Sequence, residues 1–119
     1  MTEQGTINAN NVVAIAAECM GHGDDALGKR LMNAFVYTLT QLDTLPDAVL
    51  LYNTGAKLVS EEEEACEDLK ALASHGVRIL TCGTCIQYFG LEDKVAVGEI
   101  GNMQSIVEIL QSAKHVIRP

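Results

Sequence analysis

Three short apolar runs most constrain what this chain can fold into: Val12-Val13-Ala14-Ile15-Ala16-Ala17, Ala48-Val49-Leu50-Leu51-Tyr52 and Val77-Arg78-Ile79-Leu80. A strand with one wet face alternates apolar and polar residues. A strand covered on both faces does not. The runs therefore read as strands of a parallel sheet with helices on each side. The segments between them have helical spacing. Leu27, Leu31, Phe35, Leu39 and Leu42 form one stripe, opened by the turn and cap Gly21-His22-Gly23-Asp24-Asp25. Met32 and Val36 add a second apolar set, so this helix either is buried broadly or meets another subunit.

Ala65, Cys66, Leu69, Leu72 and Ala73 form the next stripe, with Ser60 and Glu63 as its capping box and His75-Gly76 as its stop. Val95-Ala96-Val97 reads as a short fourth strand ending at Gly98. Met103, Ile106, Val107 and Leu110 make a last helix, and His115-Val116-Ile117 a fifth strand. The expected fold is α/β, a three-layer α/β/α domain with a mainly parallel five-stranded sheet. At 119 residues the chain is one domain, with residues 1–10 as a flexible N-terminal arm and 11–119 as the folded unit.

Right-handed crossovers bring all strand C-termini to one edge, where ligand crevices form. The unusual residues of this chain fall there. Cys19 and Gly21–Asp24 follow the first strand, Asn53–Gly55 the second, Thr81–Cys85 the third, and Gly98, Gly101 and Asn102 the fourth. Cys82-Gly83-Thr84-Cys85 carries the most chemistry. Two thiols at a strand exit, on a loop that turns into a helix, meet amide donors and a positive helix end. Both favour thiolate. A thiolate attacks disulfides, carries a transferable sulfur atom or binds a soft metal.

The formal net charge of −8, from 16 acidic and 8 basic residues, argues against nucleic acid and anionic membranes as partners. Its densest part, Glu61-Glu62-Glu63-Glu64, reads as a solvated helix start. No run approaches a membrane span, and Met1–Gly5 lacks the pattern of a signal peptide. The four cysteines are expected to be free thiols in a reducing cytoplasm.

The remaining candidates divide. Cys19 and Cys66 read as core residues. His22 is a proton shuttle or thiolate partner, or a plain surface histidine. Asn53 is an amide donor to a bound group or a turn former. Gly21-His22-Gly23 matches no phosphate-binding spacing. Gly83 would let the backbone approach a ligand or take a positive φ.

Met20-Gly21-His22-Gly23-Asp24, Leu27-Gly28, Leu31-Met32, Phe35 and Thr38-Leu39 resemble the opening of DsrE-like domains, specifically those of the YedF group. Tyr52-Asn53-Thr54-Gly55, Lys57-Leu58, Cys82-Gly83-Thr84-Cys85, Val97-Gly98-Glu99 and Asn102-Met103 resemble later motifs of the same group, in the same order. The resemblance spans about residues 11–118. It implies a five-stranded parallel sheet, homo-oligomeric assembly and sulfur relay through a persulfide. Cys82, with Gly90 eight residues later, matches the sulfur-accepting position. Cys85 would be the second thiol. Gly83, Thr84, Asn53, Gly55, Gly21, His22 and Asn102 would line the substrate site. The group's link to selenium metabolism comes with the resemblance. No Cys-Pro motif of a TusA-like half precedes the first strand, so a TusA-like or other persulfide donor or acceptor would be a separate protein.

The leading expectation is a cytoplasmic sulfur or selenium carrier, sulfurtransferase-like if it is an enzyme, with no cofactor and no resident metal. A thiol–disulfide redox module is the first alternative, although the Trp and Pro that flank thioredoxin cysteines are missing. The second is a non-catalytic metal or small-ligand module, in which Cys19, His22, Cys82 and Cys85 converge as soft ligands.

Overall fold

The computed structural model describes residues 10–119; the expected arm at residues 1–10 lies almost wholly outside them. The chain runs β1 (Asn11–Ile15), α1 (Asp25–Gln41), β2 (Ala48–Leu51), a 3-10 helix (Asn53–Val59), α2 (Ala65–Ser74), β3 (Arg78–Cys82), α3 (Gly83–Tyr88), β4 (Glu99–Gly101), α4 (Met103–Ser112) and β5 (His115–Ile117). The sheet order is β4-β3-β2-β1-β5, and every neighbouring pair is parallel. The α/β fold with a five-stranded parallel sheet is as the apolar runs require.

β1, β2 and β3 are covered on both faces, which explains their lack of alternation. Val13, Ile15, Val49, Leu51 and Ile79 pack on one side with Met32 and Val36 of α1 and Leu69 and Leu72 of α2. Val12, Ala48, Leu50, Leu80 and Cys82 pack on the other with Ile106 and Ile109 of α4. Residues two apart in a strand share a face. Cys82 therefore points to the α4 side, and Thr81 to the opposite one.

α1 turns part of the expected stripe outward, while Leu39 and the second set, Met32 and Val36, are buried. Its buried residues are Gly28, Met32, Val36 and Leu39. Leu27, Leu31 and Leu42 are 52%, 43% and 46% exposed. Gly28 sets this rotation. A Cβ there would lie 2.9 Å from the Cys19 Cβ, and the Gly28 carbonyl accepts from the Met20 N–H at 2.9 Å. The helix docks through its glycine, so the set in line with Gly28 becomes the core face.

Two further expectations are corrected. Ser60 and Glu63 form no capping box, because α2 begins at Ala65 behind a turn. The Ser60 hydroxyl accepts from the Glu62 N–H at 3.3 Å, and the Glu63 carboxylate pairs with Lys29 at 3.0 Å. Val95-Ala96-Val97 is not the fourth strand. Val95 makes an isolated antiparallel bridge to Ser60, and the Ala96 N–H donates to the Val59 carbonyl at 2.9 Å. Those residues spend their backbone bonds on the 3-10 segment. The chain then turns at Gly98, whose φ of +82° and 2.6 Å approach of a would-be Cβ to the Ile79 carbonyl exclude a side chain. Only after this turn do Glu99–Gly101 pair with Leu80–Cys82.

Candidate functional site

β3 enters α3 without a loop. Cys82 is the last strand residue, and Gly83 the first helical one. The expected loop is absent because Gly83 packs under β4. A Cβ on it would lie 3.2 Å from both the Gly101 carbonyl and the Ile100 Cγ2. Its role is this close approach, not a positive φ.

The junction gives the two thiols different surroundings. Cys82 is 3% exposed and sits among Leu80, Ile106 and Ile109. Cys85, one turn on, is half-buried and lies between the two cores. Burial alone would push the Cys82 thiol up. The amides and side chains of Cys85 and Thr84 outweigh it and hold Cys82 below its ordinary value. These are the free donors of a helix first turn. They act on the sulfur electrostatically, without closing a regular side-chain cap.

Cys85 is shifted the other way. Burial raises it first; the Asn53 N–H, donating to Cys85 Sγ at 3.1 Å, opposes that; and the neighbouring Cys82 sulfur raises it further. Of the two thiols, Cys82 is therefore the more readily ionised and Cys85 the less so.

Cys85 borders a cavity of about 450 Å³ with Tyr52, Asn53, Tyr88, Phe89 and Met103. None of these six residues carries a formal charge at neutral pH. The Tyr88 and Phe89 rings meet edge to face at 5.1 Å, and the Lys57 ammonium sits 4.9 Å from the Phe89 ring centroid. Lys57 also faces the Glu18 carboxylate at 3.5 Å, so its charge is already answered.

The fold has counterparts. The profile of the DsrE/DsrF-like family matches residues 8–119, nearly the whole chain. The chain belongs to the DsrE/DsrF-like family. The ychN protein of E. coli has the same fold, with a TM-score of 0.68 at 16% identity over 93% of this chain and 99% of that one. So does MTH1491 of Methanobacterium thermoautotrophicum, a protein of unknown function, with a TM-score of 0.67 at 22% identity over 93% and 99% of the two chains. BT1422 of Bacteroides thetaiotaomicron, also of unknown function, follows with a TM-score of 0.63 at 11% identity over 92% and 95%. No curated protein sequence matches this chain.

The DsrE/DsrF-like family is associated in general with sulfur relay. In this member the rim is divided. Gly21, His22 and Cys19 line a second cavity, of about 980 Å³, with Lys29, Thr54, Arg118 and Pro119. Cys19 is therefore not a core residue. Its thiol donates to the Asp25 carbonyl at 3.4 Å and is raised by burial and by Asp25 and Glu18. Because Cys19 and His22 face one cavity and Cys85 the other, the four soft ligands do not converge. Among the described residues, no three His, Cys, Asp or Glu side chains form a metal-holding group.

The other family-type positions are mainly architectural. Gly55 is buried where a Cβ would strike the Ile15 carbonyl, so it seats the 3-10 helix on β1. Asn102 caps α4, its side chain accepting from the Ser105 N–H at 2.9 Å. Thr84 is exposed, and Asn53 borders the cavity of Cys85. Cys66 is fully buried, as expected, and its thiol donates to the Val59 carbonyl at 3.6 Å. The sequence reading missed Tyr52, Tyr88, Phe89 and Met103 as cavity walls. A signal was available for two of them. Tyr88 and Phe89 stand three and four positions after Cys85, the spacing that shares a helix face.

Among the described residues no helix is long and apolar enough to cross a membrane.

Proposed function

We propose that this chain is a sulfur carrier that relays sulfane sulfur through the Cys82–Cys85 pair. The observation that carries this reading is the placement of two thiols one turn apart at a strand–helix junction, Cys82 held below its ordinary value by the first-turn donors and Cys85 bordering a cavity. A thiolate of the pair attacks the outer sulfur of a donor persulfide. The new S–S bond forms as the donor's S–S bond breaks, and the donor leaves as a thiolate. An acceptor thiolate reverses the exchange. No net oxidation occurs, and no cofactor is needed. Whether the chain is a true sulfurtransferase or a passive carrier depends on turnover with an acceptor.

In this reading the donor or acceptor is a separate protein, TusA-like or another persulfide carrier, and the setting is a reducing cytoplasm. The exposed Leu27 and Leu31 of α1 offer apolar surface for homo-oligomerisation. The motif order from Met20-Gly21-His22-Gly23-Asp24 to Asn102-Met103 supports the YedF group as the nearest branch. Selenium is an alternative cargo, since a selenolate makes the same exchange.

Intact-mass measurement after incubation with a persulfide donor tests the relay. The wild-type chain and Cys66→Ser gain the mass of sulfur, and the double variant Cys82→Ser/Cys85→Ser does not. An unmodified wild-type chain under excess donor overturns the reading.

The placement of two free thiols one turn apart also favours a second reading, a thiol–disulfide module. It requires a Cys82–Cys85 disulfide with a reduction potential inside the cellular range. A measured potential well outside that range removes it.

A further inference from the structure

The relay reading leaves open which sulfur meets the incoming one, and the residue-by-residue resemblance points to Cys82. The geometry points to the other. We propose that Cys85 is the sulfur that is loaded from outside, and that Cys82 is the internal base that takes its proton. Cys85 lines the open cavity together with Tyr52, Asn53, Tyr88, Phe89 and Met103, and Cys82 does not. Cys82 is 3% exposed beneath Ile106 and Ile109, with no free approach for a donor molecule carrying a persulfide. An attack needs the nucleophile and the electrophilic sulfur within van der Waals reach. Only Cys85 has that access.

The donors around the pair fit this division. Cys85 packs against the buried cluster that contains Cys82, and the first-turn donors of α3 hold the Cys82 thiol below its ordinary value while burial raises that of Cys85. As Cys85 Sγ attacks the outer sulfur of R–S–S–H, its S–H bond breaks and the proton passes to Cys82. The Cys85 Sγ–S bond forms, the donor S–S bond breaks, and R–S⁻ leaves. The products are Cys85–S–S–H, a neutral Cys82 thiol and a donor thiolate, so atoms, charge and electrons balance without an oxidant or reductant. The Asn53 N–H at 3.1 Å then remains on Cys85 Sγ and holds the loaded sulfur toward the cavity. Unloading is the reverse: an acceptor thiolate takes the outer sulfur, and Cys82 returns the proton to Cys85.

This assignment rests on the relay reading, and one experiment separates the two. The full chain is treated with glutathione persulfide or inorganic polysulfide and quenched early by alkylation. Tandem mass spectrometry then locates the added sulfur. It is expected on Cys85 in the wild type. Cys85→Ser is expected to load at a small fraction of the wild-type rate. Cys82→Ser is expected to load still on Cys85, but more slowly, by on the order of ten- to a hundredfold at neutral pH. Cys82→Ala, which places no hydroxyl in the core, serves as a second variant should Cys82→Ser fail to fold. Early label on Cys82, or Cys85→Ser loading at the wild-type rate, overturns the assignment and leaves the relay standing. A wild-type chain that never loads overturns both.

Discussion

The backbone N–H of Asn53 donates to Cys85 Sγ at 3.1 Å, tying the exit of β2 to the first turn of α3. Asn53 reaches that position with φ at +52°, the sole non-glycine residue with positive φ among the described residues. Asn tolerates the left-handed region better than other side chains do. The tie therefore depends on backbone conformation, and the Asn53 amide group is not itself the donor. Asn53→Gly is expected to keep the bond and the stability within a few tenths of a kcal/mol of wild type. Asn53→Val is expected to cost about 1–2 kcal/mol and to lift the apparent pKa of Cys85 as its donor moves away. Chemical denaturation and the pH profile of Cys85 alkylation check both. Equal alkylation profiles in the two variants would sink the claim.

Thr81 lies beside the reactive pair but on the opposite sheet face. It is fully buried, and its hydroxyl has no hydrogen-bond partner among the described residues. An unpaired buried hydroxyl costs about 1–3 kcal/mol. Valine has nearly the same shape and suits a strand. Thr81→Val is accordingly expected to stabilise the fold by about 1 kcal/mol, read from the denaturation midpoint. Sulfur loading should not change, because Thr81 lines neither the cavity of Cys85 nor the packing around Cys82.

Much of this was legible in the sequence. The unalternating runs at Val12–Ile15 and Ala48–Leu51 demand two covered faces, and a parallel sheet supplies them. The strand ends follow, and with them the place of Cys82 and Cys85. What periodicity could not reveal was long-range packing. Gly28 against Cys19 rotated α1 away from its longest leucine stripe. Ser60 and Val59 captured Val95 and Ala96, displacing β4 by four residues to Glu99. Gly55 and Gly98 look like loop glycines in sequence, but the Ile15 and Ile79 carbonyls explain them. The depths of Cys82 and Cys85 depend on where β3 ends: the expected end at Leu80 lay two residues short and left Cys82 on a loop, whereas it continues the strand on the face of Leu80, under α4.

The lowered Cys82 thiol links stability to pH. Its folded value lies below the ordinary 9.0, while the unfolded thiol keeps that value. Between the two the folded chain has released a proton that the unfolded chain still holds. The unfolded state then binds more protons, so stability rises with pH. The contribution is fully present above about 9.0 and is lost as pH falls through the folded value. Cys85, shifted upward, acts oppositely. Its contribution is present below 9.0 and is lost as pH rises through its own folded value. The stability difference between wild type and Cys82→Ser should therefore grow as pH rises toward 9.0 from below. Urea midpoints measured for both proteins across that range test it. A flat difference means that Cys82 is an ordinary buried thiol.

The cavity wall predicts which donors load the site fastest. Tyr52, Asn53, Tyr88, Phe89 and Met103 offer aromatic and apolar surface with one amide, and no formal charge to receive an anion. Lys57 is nearby, but it is shared between the Phe89 ring and the Glu18 carboxylate. The whole chain carries −8. A donor with carboxylates, such as glutathione persulfide, meets repulsion on approach and loses hydration on entry. An uncharged alkyl persulfide meets neither and gains contact with the Tyr88 and Phe89 rings. The uncharged donor is expected to load Cys85 faster by roughly tenfold at low salt, with the gap closing as ionic strength shortens the reach of the repulsion. Initial loading rates for the two donors, at low and at high sodium chloride, decide the matter. A faster anionic donor at low salt would mean that a cation outside the cavity wall governs entry. Lys57 is the first to test, as Lys57→Met.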